Sequence, residues 1–327
     1  MTDPEGAGSS FPVQRFAQAS LAAALIAFGA TSARGNQNDV ELWRLGNPVP
    51  ITICSRCDGS DTTPVPADPA AQTRFARMTS VLGLSFIPPF HETANTLGQS
   101  GFEVGLSGQV AFPRLSPDEW ATTGTRATQP APRALFLPSL RGRKGLGGSL
   151  EIGAVGTWLA ASRMLAITAE ARFAPVDGLP SAPDVGLRVH GTRVIGASSL
   201  DLTVLGADLG ISKGFGLGGI VRLQPYGEAG VALINAASGV LNFRPDGFNP
   251  RDPSAQAGAF QTAGFFHNVY YRGVLGLRML AGALVLGLEG GLAVGRNPVQ
   301  SDPPPGGAAP TQLTRLWSAS GHLGVAY

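Results

Sequence analysis

The sequence predicts an all-β protein, an antiparallel transmembrane β-barrel of about ten strands, within a range of roughly eight to twelve, preceded by an N-terminal signal peptide. Composition is the first reason. Hydrophobic residues make up 43% and charged residues only 14%, which is too apolar for disorder, and 45 glycines weigh against a helical bundle. The second reason is an apolar leader, and the third is a series of long runs in which apolar and small or polar residues alternate.

The leader comes first in the chain. Phe16 to Ala33 carries no charge, follows Arg15, contains the apolar run Leu21 to Phe28 and ends in Thr31-Ser32-Ala33. A short apolar core with a small-residue exit reads as a cleavable signal over 1–35, cut near Ala33 or Gly35. The core is shorter than the ~20 residues of a membrane-spanning helix, the alternative reading. Asp3 and Glu5 stand where a positive segment is expected, so a start at Met1 and one nearer Val13 both remain open.

Residues 36–78 are polar and rich in turn formers, centred on Thr62 to Pro69, and are expected to form a flexible periplasmic lead-in. The two cysteines, Cys54 and Cys57, lie within it as one CxxC pair. Without a second pair or a nearby His they do not complete a zinc site, and no βαβ pattern surrounds them as a redox motif requires. In an oxidising compartment they read as a local disulfide. Neither follows the leader as a lipid-attachment cysteine would. No metal or cofactor is expected.

From 79 to 327 the alternation defines the barrel, with strands expected near 79–90, 101–112, 147–159, 163–174, 184–194, 199–212, 217–234, 264–279, 283–296 and 312–327. Several exceed the usual soluble strand and suit the ~9–11 residues of a tilted membrane strand, and an even number fits closure. The long connections 235–263 and 297–311 fall on one side and the tight turns 213–216 and 280–282 on the other. Aromatics form two girdles on this scheme, Trp158, Phe265, Phe266, Tyr270, Tyr271 and Trp317 at outer ends, and Phe112, Phe173, Phe215 and Tyr327 at inner ends. Two features resist it. The Pro-rich stretch 113–146 falls on the short-turn side, as an extra strand beginning at Ala134 or as a plug, and Val204-Leu205 breaks the alternation as a bulge or a misplaced strand boundary would.

The final stretch, Trp317-Ser-Ala-Ser-Gly-His-Leu-Gly-Val-Ala-Tyr327, together with the leader and the alternating strands, resembles Gram-negative outer-membrane β-barrel proteins. The resemblance covers roughly 79–327, is to the class and not to a particular functional family, and implies location in the outer membrane. It also implies that Trp317, Leu323, Val325 and Tyr327 form the signal read by the barrel assembly machinery, and that outer-membrane lipids and lipopolysaccharide are partners.

Within such a barrel the polar face carries Glu103, Glu151, Glu170, Asp201, Asp208, Glu228 and Glu289 with Arg172, Arg188, Arg222, Arg272 and Arg278. Near balance of sign favours a lumen network of ion pairs over a one-sign selectivity ring. About ten strands enclose an interior that side chains largely fill. The expected function is thus a barrel with a narrow or plugged, charge-paired lumen, acting in passage of small solutes or an apolar ligand or as an envelope scaffold. The alternative is an outer-membrane lipid-modifying hydrolase, for which Ser320 with His322, or His190, are the candidates; hydrogen-bonded lumen histidines are the non-catalytic reading. No basic stripe points to nucleic acid, with Lys only at Lys144 and Lys213 and a net charge of +2.

Overall fold

The computed structural model describes residues 37–54, 62–91, 94–124, 131–179, 181–243, 256–296 and 313–327. The expected signal peptide, Cys57, the side chain of Cys54 and the loop 297–311 lie outside the described residues. Two short paired strands come first, β1 (Ile51–Cys54) and β2 (Thr62–Val65), followed by helix α1 (Ala71–Ser85). The barrel begins with β3 (Phe102–Phe112), β4 (Leu135–Leu146), β5 (Leu150–Trp158), β6 (Leu165–Val176), β7 (Asp184–Ile195) and β8 (Leu200–Ser212). A three-residue β9 (Phe215–Leu217) folds back on β10 (Val221–Ser238), and β11 (Leu241–Asn242) pairs with β12 (Ala257–Gly258) in the next loop. The barrel then continues with β13 (Val269–Ala281), β14 (Leu284–Arg296) and β15 (Leu313–Ala326).

Ten of these strands form a closed antiparallel ring. β3 to β8 pair in sequence, β8 pairs with β10, β10 with β13, then β14 and β15, and β15 returns to β3 with Val325 opposite Val104. Closure matters because lipid offers no partner to an unpaired strand edge. The period of two then separates the faces: on β7, Leu187, Val189 and Ile195 face out while Arg188, His190 and Thr192 are buried. The same holds around the ring, where Leu106, Phe136, Ile152, Ile167, Leu209, Leu275, Leu288 and Leu323 are exposed on the outer wall.

The strands are not quite the expected ten. Residues 79–90 are no strand; they finish α1 and continue into the lumen, because Phe75, Met78 and Leu82 recur at helical spacing and bury together. Residues 135–146 supply the tenth strand, the extra strand expected from Ala134 as one of two alternatives, with Pro138 on its outer wall and two arginines, Arg141 and Arg143, on its inner face. Adding β4 reverses the end at which the connection after Phe112 leaves the barrel, so it departs from the same end as those after Ser238 and Arg296, opposite the end at which β4 and β5, and β13 and β14, are joined. Residues 113–134 are therefore no plug from the short-turn side. Phe112 moves with them and sits opposite Trp317 at the long-loop end.

The expected flexible lead-in is also folded where it is described. Asn38 bonds Ala160 and Ala161 in the β5–β6 turn, Val40 bridges Thr122, and Leu42 and Leu45 are buried. Helix α1 sits inside the long-loop end, every residue from Met78 to Ser85 buried. It packs on inward-facing Leu135, Leu137, Leu202, Val204, Ala232, Ile234 and Leu316, while Phe75 stacks on Phe260 at 4.6 Å. Each such large side chain withdrawn from water contributes about 1.5–3 kcal/mol, which is why the lead-in folds here.

This packing accounts for Val204-Leu205. The β8 ladder runs unbroken through both residues, Val204 inward on Ile234 and Leu205 outward. The alternation breaks chemically, since the inner wall opposite α1 is itself apolar, and there is no bulge. A register shift occurs instead between Phe173 and Val176.

Candidate functional site: the occupied lumen

Beyond Phe86 the chain leaves the helix and threads the barrel toward the short-turn end. The wall holds it largely by its main chain. Arg141 donates to the carbonyls of Pro89 and Phe90, the latter at 2.6 Å. The Glu289 carboxylate accepts the backbone N–H groups of Phe90 at 3.1 Å and His91 at 2.7 Å, and the Tyr226 hydroxyl at 2.9 Å. Further down, the N–H of Ala94 donates to Ser212 and that of Leu97 to Glu151. The guanidiniums of Arg172 and Arg188 both lie over the Phe90 ring, each 4.7 Å from its centroid. Its π system thus meets two cations.

Around this thread runs a network of buried charges. Arg143 bridges Glu103 at 2.7 Å and Glu151 at 2.5 Å, and Arg278 reaches Glu103 from across the lumen. Arg172 approaches Glu151 at 3.5 Å, and Arg141 and Arg188 flank Glu170 at 3.7 and 3.5 Å. Arg188 also holds Asp208 at 2.8 Å and Glu228 at 3.2 Å, with Arg272 on the same two carboxylates at 3.6 and 3.9 Å. Among the described residues, six carboxylates (Glu103, Glu151, Glu170, Asp208, Glu228, Glu289) therefore share this network with six guanidiniums (Arg141, Arg143, Arg172, Arg188, Arg272, Arg278). Balance of this kind removes the large cost of an isolated buried ion.

Ten of the twelve expected charges are in this interior. Asp201 is not: it faces outward at the long-loop rim and pairs with Arg193, both about half exposed. Its inner neighbours Leu200 and Leu202 cover α1, so polar and apolar faces are exchanged there. Arg222 is not either. It shares the inward parity of Gln224 and Glu228 but stands exposed at the short-turn mouth, beside Gly214.

Arg141, Arg143 and His91 were not among the expected residues, the first two because their segment read as either strand or plug and the third because its segment read as strand. The three lumen histidines are buried. His322 contacts Glu103 at 3.3 Å and stacks on His91 at 5.3 Å, and His190 contacts Asp208 at 3.4 Å. Two glycines make room for them: a Cβ on Gly105 would lie 2.2 Å from His322, and one on Gly206 would lie 2.2 Å from His190. The expected assembly residues Trp317, Leu323 and Val325 face outward along β15, and Tyr327 follows it, exposed and bonded through its backbone to Phe102.

A closed ring of strands, apolar toward its surroundings and charged within, has one solvent that suits it, a bilayer spanned by a barrel. This is a membrane-spanning β-barrel protein. No family model matches the chain, and no curated protein matches it. Among solved structures it is similar to Neisserial surface protein A, at 12% identity over 69% of this chain and 99% of that one, with a TM-score of 0.27. It is also similar to the N-terminal barrel domain of Pseudomonas aeruginosa OprF, at 15% identity over 70% of this chain and 99% of that one (TM-score 0.27). A third is OprG of the same organism, at 13% identity over 72% and 99% (TM-score 0.25).

Proposed function

We propose that this barrel is closed at rest by its own N-terminal segment and serves as an envelope scaffold, with any passage of small solutes or ligands confined to states in which that segment shifts. The observation that carries this reading is the main-chain grip on residues 89–97 from β4, β5, β8 and β14. A thread held by its backbone at several heights obstructs the lumen whatever its side chains do. Beside it, a cavity of about 30 Å³ lined by Pro88, Pro89, Gln109 and Glu289 has room for about one or two waters.

Planar bilayers test the proposal. The unmodified protein should give only small, intermittent conductance, and Arg141→Ala with Glu289→Ala should raise the open fraction. Large steady conductance from unmodified protein would overturn the closed reading.

We infer no lipid hydrolase here. His190 and His322 have side chains at most 1% exposed, deep in the lumen below α1, each beside a carboxylate and far from the lipid-facing wall. Lipid hydrolysis abolished by His322→Ala or His190→Ala would reverse that inference.

A further inference from the structure

At the long-loop rim, a cleft of about 320 Å³ lies between α1 and the start of β15, lined by Arg77, Val81, Arg114, Leu313, Thr314 and Arg315. Three guanidiniums thus share one small space. Arg77 is neutralised by Glu119 and also bonds the backbone carbonyl of Arg114 at 3.1 Å. Arg114 and Arg315 are exposed, and among the described residues no carboxylate pairs with either.

The register explains why the two sit together. β15 pairs with β3 through Trp317 opposite Phe112, and continuing that ladder by two residues sets Arg315 opposite Arg114. Like charges brought this close repel, and among the described residues no carboxylate relieves this pair. The missing partner is an anion.

Its kind follows from what adjoins the cleft. Phe112, Leu313 and Trp317 are 42%, 47% and 49% exposed on the outer wall immediately beside the arginines, continuous with the apolar belt. An aromatic pair on the barrel side of two guanidiniums at the rim is the profile of a membrane interface: chains below, headgroup above. Guanidinium matches phosphate with paired, charge-assisted hydrogen bonds and is favoured over ammonium for it. We propose that Arg114 and Arg315 bind the phosphate of a lipid headgroup in the leaflet at the long-loop face, with Trp317 and Phe112 against its acyl chains.

The test uses full-length protein in detergent and native mass spectrometry with three probes: lipid A bearing its phosphates, dephosphorylated lipid A, and inorganic phosphate. Phosphorylated lipid A should bind at least about tenfold more tightly than either of the others, in keeping with the ~1.5–3 kcal/mol of a charged hydrogen bond. Arg114→Gln with Arg315→Gln should remove that preference, whereas Arg193→Gln, at a rim arginine already paired with Asp201, should leave it intact. Both are surface changes, and heat-dependent gel mobility checks that each variant folds. Equal binding of the dephosphorylated lipid, or an unchanged preference in a folded double variant, would overturn the proposal. Inorganic phosphate competing as strongly as the lipid would reduce the cleft to a general anion site and overturn it too.

Discussion

Glu289 on β14 accepts the backbone N–H of His91 at 2.7 Å, joining residues 198 apart in the chain. The same carboxylate holds the N–H of Phe90 and the hydroxyl of Tyr226. Three donors therefore share one side chain. Glu289→Ala removes that acceptor, at about 1–3 kcal/mol for each buried group that finds no substitute. Glu289→Gln keeps an acceptor and should cost less. The order of heat stability, read from the temperature at which the folded band is lost on gels, should be unmodified protein above Gln above Ala; an Ala variant equal to the unmodified protein would remove Glu289 from the anchor.

Phe90 offers a second measure of the grip. Truncating a packed Phe to Ala typically costs about 3–5 kcal/mol, and two cation–π contacts of ~0.5–2 kcal/mol each are lost with it. Phe90→Leu restores most of the volume without the ring. If the arginines matter as cations over a π face, Leu should fall between Phe and Ala in heat stability. A Leu variant as stable as the unmodified protein would assign the effect to packing alone.

The barrel itself was legible in the sequence, since Leu187 to Ile195 and Leu313 to Val325 carry the period of two plainly. What was hidden shares one cause. The code of apolar-out and polar-in assumes a wet or charged lumen, and in this chain half the lumen is filled by α1. Leu202, Val204 and Ile234 are inward and apolar for that reason, which disguised Val204-Leu205 as a bulge and put Asp201 on the wrong face. Strand β4 was partly masked from the other direction, by Pro138 on a wall position and arginines within. Ion pairs such as Arg188 with Asp208 followed from parity, but no pattern in sequence announces that the Phe90 ring will meet Arg172 and Arg188.

Gly83 sets how closely α1 approaches the wall. A Cβ there would lie 3.0 Å from both Cδ1 and Cγ2 of Ile234 and 3.3 Å from a Val204 methyl. Gly83→Ala gains about 1 kcal/mol of helix propensity against contacts with side-chain ends that can shift a few tenths of an ångström, so the net should be near zero. Gly83→Leu adds volume with nowhere to go and should cost about 1–3 kcal/mol. Limited trypsin digestion at Arg74 and Arg77 reads the result: slow cleavage in the Ala variant and fast in Leu. Fast cleavage in both would show that the contact has no slack.

Asp68 gives the cap a pH dependence. Partial burial alone would raise its pKa, but the hydrogen bonds from Arg74 and the N–H of Ala70 outweigh it and hold the carboxyl below its ordinary 3.8. A carboxyl depressed in the folded state stabilises fully above its unfolded pKa, and that contribution is lost as pH falls through the folded value. The start of α1 should therefore hold from neutral pH down to about 4 and loosen below it. Hydrogen exchange across 68–77 should show this acid-side loss in the unmodified protein and not in Asp68→Asn, which would be looser throughout. Loosening that sets in above pH 5 would exclude Asp68 as its source.

The side of the membrane on which the N-terminal segment lies follows from the reassigned strand. With β4 in place, the connections after Phe112, Ser238 and Arg296 leave from one end of the barrel, and Asn38 to Leu45 pack among the turns of that end. Outer-membrane barrels carry long loops outside and short turns in the periplasm. On that rule the thread is predicted to run from the cell surface down to β3, opposite to the periplasmic lead-in that composition alone implies. Two exposed residues mark the ends, Val240 beyond β10 at 79% and Ile220 in the turn before it at 78%. With Cys54 and Cys57 replaced by Ser, a membrane-impermeant maleimide on intact cells should label Val240→Cys and spare Ile220→Cys, and both should label once the outer membrane is permeabilised. Labelling of Ile220→Cys alone on intact cells would invert the barrel and place the N-terminal segment in the periplasm after all.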